Sequence, residues 1–307
     1  MKRGSKKHKK LDAEAKAGLL FALPFIIGLV IFTVIPFVSS FIFSFTNYNM
    51  KSSPDFVGLA NYKIMLANDS LFWPSLWNTI VHVLISTPLN LIFGVMLALL
   101  LNNKLKGINV YRTIFYLPNV VSMVAMALLW LWLFQPSFGL INQLLGPIYR
   151  LLGAQPIGWL NDASTSKLAI ALMGLWTCGG SMVIYLAQLQ DIPRDLYEAA
   201  EIDGANGWQR MKRITIPLMT PAIFYNLIMT LISGFQVFMQ SFIMTSGGPA
   251  RSTYYFAYYL YDKAFKDGQM GMASAMAWFL LVATLIVTMI VFVTSRRWVF
   301  YMNGEEN

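Results

Sequence analysis

Residues 198 to 217 place charge, alanine and glycine at fixed spacing between two long apolar runs. Glu198, Glu201 and Asp203 offer carboxylates, while Ala199 and Ala200 leave the surface between them slim. Such a set does not make or break bonds; it suits ionic docking into a groove on another protein. Leu196, Ala199 and Ala200 fall on one helical face at spacings of three and four, with Glu198 and Glu201 off it. Asp191 reads as the cap of this helix, Pro193 as a residue of its first turn, and Asp195 as favourable charge near its positive end. Gly204 supplies the stop. Asn206-Gly207 then permits a turn into a second helix, Trp208 to Ile216, with Trp208, Met211 and Ile214 along one side. Pro217 and Pro221 are expected to bend or restart the chain there.

A second set could form hydrogen bonds rather than ion pairs. Asn226, Thr230, Ser233, Val237 and Gln240 make one mostly polar stripe in an otherwise apolar run. Polar side chains inside a span face protein or water rather than lipid, although Thr and Ser also bond their own helix. The apolar runs hold no paired His, Asp, Ser or Glu, so no catalytic residues are expected. Cys178 is the single cysteine, which excludes an intrachain disulfide and a thiolate metal site. His82, with Asn78 one turn back, reads as a hydrogen-bonded structural residue.

The elements that position these residues must be membrane spans. Hydrophobic residues make up 57% of the 307 and charged ones 12%, against about 25% charged in average soluble chains. Six stretches reach the length of roughly 20 apolar residues that a bilayer requires: 19–45, 76–101, 114–134, 168–190, 217–245 and 273–294. The first is too long for a cleaved leader and lacks a small-residue cleavage site after it.

Lysine and arginine set the orientation. With the N-terminus inside, the inner segments hold Lys2, Arg3, Lys6, Lys7, Lys9, Lys10, Lys16, Lys104, Lys106, Arg112, Arg194, Arg210, Lys212, Arg213, Arg296 and Arg297. The outer segments hold only Lys51, Lys63, Arg150, Lys167, Arg251, Lys263 and Lys266. Residues 191–217 therefore face the cytoplasm, where the net charge of +9 serves as an anchor rather than a nucleic-acid footprint. An aspartate at the bilayer centre costs on the order of 2.5–3.5 kcal/mol, which excludes Asp191, Asp195 and Asp203 from lipid. The expected layout is a basic cytoplasmic tail over 1–18, a six-helix domain over 19–295 and a short cytoplasmic tail over 296–307.

Glu198-Ala199-Ala200, Gly204 and Ile214-Thr215-Ile216-Pro217 carry a resemblance. The segment is similar to the signature of the permease subunits of bacterial ABC importers, the binding-protein-dependent transport family; only Ile216, where the family has Leu, departs. Gly58-Leu59 with Asn61-Tyr62, the Tyr116-Leu117-Pro118 step and the Gly247-Gly248-Pro249 turn look like the carbohydrate-uptake branch, and the similarity spans nearly all of the chain after residue 18.

The resemblance implies an all-α membrane protein of the type I importer permease fold, six helices with a cytoplasmic coupling-helix hairpin. It implies an extracytoplasmic solute-binding protein, a second permease subunit of different sequence and two ATPase subunits that carry ATP and Mg. It implies that Glu198, Ala199, Ala200, Asp203 and Gly204 dock the ATPase. By similarity to the maltose-type relative, the solute path falls on Asn119, Met123, Met173, Trp176, Thr177, Gly180, Thr230, Ser233, Gly234 and Val237. No G-x-x-x-x-G-K-[ST] occurs in the chain, so ATP hydrolysis is assigned to the partner and no cofactor to this chain.

The expected function is uptake of a neutral sugar or oligosaccharide across the bacterial inner membrane. A glycerol-3-phosphate or polyol importer is the nearer rival, though an anion calls for a basic residue in the path. An ATP-independent secondary transporter is the rival from another class. It would show two related halves or an intramembrane charge, and the sequence displays neither.

Overall fold

The computed structural model describes residues 5–103 and 106–300, with side chains from residue 15 onward. Of the basic residues assigned to the inner face, Lys2, Arg3 and Lys104 lie outside the described residues, as do the side chains of Lys6, Lys7, Lys9 and Lys10 and the chain beyond 300.

Four helices are long and apolar enough to span a bilayer alone, namely α1 (Ala15–Ser44), α2 (Phe72–Leu101), α9 (Gly207–Phe235) and α12 (Met270–Ser295). Two further spans are each a bent pair. The third joins α3 (Ile108–Val120) to α4 (Met123–Leu133) at 103°, and the fourth joins α6 (Ser166–Leu175) to α7 (Gly179–Asp191) at 49°. Between successive spans lie α5 (Leu140–Leu152) and the short helix α8 (Arg194–Ile202). The short helices α10 (Met239–Met244) and α11 (Phe256–Tyr261) follow α9.

The chain forms two compact units. The smaller is Met1–Asn68 with Lys263–Trp278. Within it, Asn61 donates its side-chain amide to the carbonyls of Ser44 and Thr46, both at 2.8 Å, and so fastens the chain leaving α1. Trp278 lies against Phe37 and Phe41, with ring centroids 4.8 Å away in each case.

The larger unit is Asp69–Asp262 with Phe279–Asn307. Its central helix is α2, which packs against α6, α7, α9 and α11. Toward one end, Ser75, Thr79, His82, Ser86 and Thr87 of α2 are buried. Toward the other end the core turns apolar, with Leu97, Ala98 and Leu101 meeting Met182, Leu186, Leu189, Leu218 and Met219.

Three expectations about the spans need correction. The third and fourth were each read as one continuous apolar stretch, and each is a bent pair. Pro118, which has no N–H to give, sits in a 3-10 turn before the first break, and Ser122 restarts α4 by accepting from the Ala125 N–H at 3.4 Å. At the second break, Gly179 lets α3 approach closely; a Cβ there would lie 2.3 Å from the Phe115 carbonyl oxygen. The fifth span, expected to reach Thr245, ends at Phe235, and α10 follows as a separate short helix. The Gly247-Gly248-Pro249 turn then has its Gly248 carbonyl held by the Thr253 hydroxyl at 2.7 Å.

Candidate functional site

The hairpin takes shape from its two helix junctions. Asp191 closes α7 rather than capping α8, and Pro193 occupies the cap position, so the two helices part at Ile192, a buried core residue. Helix α8 ends as expected. Gly204 adopts φ +77°, and the Ala205 N–H returns to the Ala200 carbonyl at 2.9 Å. Asn206 and Gln209 then form a reciprocal capping box, with bonds of 2.9 and 2.8 Å, at the start of α9.

Pro217 does not restart the helix. A π-helical turn over Met211–Thr215 immediately precedes it, and the wider turn accommodates the missing N–H, so that α9 runs unbroken from Gly207 to Phe235. One face of the hairpin is held to its own chain: the Tyr197 hydroxyl meets Thr215 Oγ1 at 2.9 Å, and Tyr197 and Ile214 pack on the apolar core. The other face is open. Glu198, Ala199, Asp203 and Gly204 are exposed, as are the apolar Ile202 at 87% and Trp208 at 70%. Glu201 pairs with Arg210 at 3.2 Å, which leaves Glu198 with no ion pair among the described residues.

The second feature is a cavity of about 340 Å³ bounded by α2, α4, α6, α7 and α9, within the range of small-molecule sites. Met123, Thr177, Thr230, Ser233, Gly234 and Val237 line it, six of the residues assigned to the path. The Ser233 hydroxyl donates to the Thr230 carbonyl at 3.1 Å and the Thr177 hydroxyl to the Gly174 carbonyl at 2.8 Å. Their oxygens therefore keep lone pairs for a guest's hydroxyl groups.

The remaining four assigned residues lie elsewhere. Asn119 spans the break in the fourth span, donating to the Thr177 carbonyl at 2.6 Å and accepting from the Gly180 N–H at 2.7 Å. Neither Asn119 nor Gly180 is among the residues that line the cavity. Met173 is buried in an apolar cluster with Met126, Phe134 and Trp159. Trp176 faces a separate apolar recess with Ile114, Phe115 and Trp130. Asn226, from the polar stripe, is buried and bonds the Ala222 carbonyl at 2.9 Å.

The path assignment missed the α2 wall. His82, Ser86 and Asn90 line the cavity, spaced four residues apart along one face of α2. That spacing was the available signal. His82 is also hydrogen-bonded, as expected, its Nδ1 lying 3.3 Å from the Tyr255 hydroxyl. Every polar group on the cavity wall is uncharged in type apart from this imidazole.

A six-span helical membrane protein with a charged hairpin between its fourth and fifth spans and a polar cavity among its spans is a permease of the type I importer fold. The chain belongs to the binding-protein-dependent transport system inner membrane component family, which matches residues 90–300. It is 42% identical over 304 residues to the probable ABC transporter permease protein YesP of Bacillus subtilis, covering 98% of this chain and 97% of that one. It is 34% identical to AmyD of Thermoanaerobacterium thermosulfurigenes, a probable starch degradation products transport system permease, over 91% of this chain and 94% of that protein. The crystal structure of a bacterial alginate ABC transporter, in complex with its alginate pentasaccharide-bound periplasmic protein, matches with a TM-score of 0.78 at 26% identity, covering 95% of this chain and 96% of that chain.

Proposed function

We propose that this chain forms half of the translocation path of an ATP-driven, binding-protein-dependent importer for a neutral sugar or oligosaccharide. The observation that carries this reading is the cavity wall, where hydroxyls and amides from α2, α7, α9 and α10 and from Thr177 converge without a lysine, arginine or carboxylate. Polyhydroxylated solutes need many weak, neutral hydrogen bonds, whereas an anion such as glycerol phosphate needs a cation to replace its water. The description of the starch-product permease supports the same class, whereas the alginate transporter, whose cargo is an acidic polysaccharide, supports a carbohydrate solute without bearing on its charge.

The hairpin couples this path to a separate ATPase. Glu198 stands free to meet a basic residue, Ala199 and Ala200 admit the partner's surface, and Asp203 and Gly204 shape the exit. Two ATPase subunits carry ATP and Mg, a second permease of different sequence completes the path, and an extracytoplasmic binding protein delivers the solute. The chain itself performs transport without catalysis, in the bacterial inner membrane with both ends in the cytoplasm. Met123, Thr177, Thr230, Ser233, Gly234 and Val237 form the path on this side, joined by His82, Ser86 and Asn90.

The test is uptake by the complete importer in proteoliposomes, with ATP inside and the binding protein outside. Neutral oligosaccharides should accumulate in an ATP-dependent manner and glycerol phosphate should not. Accumulation of glycerol phosphate alone, or solute entry that ignores ATP, would overturn the reading.

A further inference from the structure

We infer that α5 is a lipid-facing interfacial helix, lying in the outer surface of the bilayer and anchoring the extracytoplasmic end of the larger unit. The helix belongs to the stretch that joins the third span to the fourth, so it sits on the side of the membrane opposite the hairpin. Its sequence divides into three sectors at 100° per residue.

One sector faces the protein. Ile141 and Leu145 pack on the cluster built from Met126, Phe134, Trp159 and Met173, and Asn142 and Tyr149 are buried. Asn142 locks the orientation through four bonds. It donates to the carbonyls of Pro136 and Ile157 at 3.1 and 2.9 Å, and it accepts from Tyr149 and Trp159 at 3.0 and 2.8 Å. The helix therefore cannot roll to hide another face.

The second sector is polar. Gln143 and Arg150 border an open groove of about 610 Å³ with Ser137 and Gln155, a surface made for water. The third sector is aliphatic throughout. Leu140, Leu144, Ile148, Leu151 and Leu152 are all exposed, Leu151 at 85%, and no polar side chain interrupts them.

A fixed helix with a wet edge on one side and a purely aliphatic stripe on another has the partition of an in-plane membrane helix. Continuity supports lipid as the occupant. The span that leads into this region, α4, exposes Leu128, Leu129 and Trp132, which a bilayer must cover, and Phe138 continues the exposed apolar surface to the start of α5. Trp132 and Phe138 supply the aromatic character typical of that depth. A delivery protein that must dock and leave fits the stripe poorly, because transient interfaces are about as polar as ordinary surface.

The test uses spin labels on single cysteines introduced at Leu144, Ile148 and Leu151, with Gln143 and Arg150 as the polar-sector controls. The chain is assembled with its partner subunits in lipid nanodiscs. The buried Cys178 stays in place, and labelling of the parent chain is subtracted. Power saturation should show oxygen accessibility exceeding that of a water-soluble nickel chelate at 144, 148 and 151, with the ratio inverted at 143 and 150. Nickel access at all five positions would mean a solvated helix and would overturn the inference. Exclusion of both reagents from the aliphatic stripe, with or without the binding protein, would mean a protein partner and would overturn it equally.

Discussion

The hairpin and the cavity are built on opposite plans. The hairpin is a single stretch of chain whose working residues lie within about two helical turns of one another, exposed and held from behind by Tyr197 and Ile214. The cavity gathers residues as distant in sequence as His82 and Gln240, and each presents only a modest polar group. A surface that must grip a partner can be specified locally. A passage that must hold and release its guest is assembled from many helices, none of which binds strongly by itself.

The sharpest way to break this comparison is at Gly204. With φ at +77°, this position excludes proline outright, so Gly204→Pro combined with Glu198→Ala should abolish ATP-driven uptake. The protein should still reach the membrane, because α8 contributes no buried residue to the fold. Membrane fractionation beside a transport assay checks both; substantial remaining uptake would remove the hairpin from the mechanism.

Next in size are Thr230→Leu and Ser233→Leu, which fill the cavity and delete acceptors. We expect uptake to fall about tenfold or more, on the scale of the 1–3 kcal/mol cost of overpacking. Co-purification with the ATPase should be unchanged, and equal loss of both readouts would merge the two regions into one.

Met173→Ala separates packing from path. Its side chain is 1% exposed in an apolar cluster. Stability should fall by about 2–5 kcal/mol, read as a lowered melting temperature, while the order of preference among sugars stays the same. A changed preference with intact stability would return Met173 to the path.

The smallest effect is expected from Tyr197→Phe, which deletes the hydroxyl that meets Thr215. A cost of about 0.5–1.5 kcal/mol should appear as faster hydrogen exchange across Arg194–Ile202, with uptake reduced less than by either change above.

The same contrast explains what the sequence disclosed. Gly204 as a helix stop and the six apolar runs rest on local rules, namely backbone freedom and the length of a span, and both are found in the structure. The bends at Val121 and Thr177 depend on how one helix passes another, as at Gly179 against Phe115, and a periodic reading of each run could not supply that. Trp176 was assigned to the path by similarity to the maltose-type relative, yet its helix ends at a kink and the ring lines another recess. His82, Ser86 and Asn90 were legible as a spacing but not as a wall, because their significance depends on Thr230 and Ser233 standing opposite.

The unbroken course of α9 carries a mechanical consequence. Trp208, in its first turn, and Thr230, on the cavity wall, share one helix, about 33 Å apart at a rise of about 1.5 Å per residue. Along that length the helix carries one widened coil at Met211–Thr215, followed by Pro217 and Pro221. On the proposed function, a displacement at the Trp208 end would reach the cavity wall in proportion to how stiff that coil and the proline turns remain.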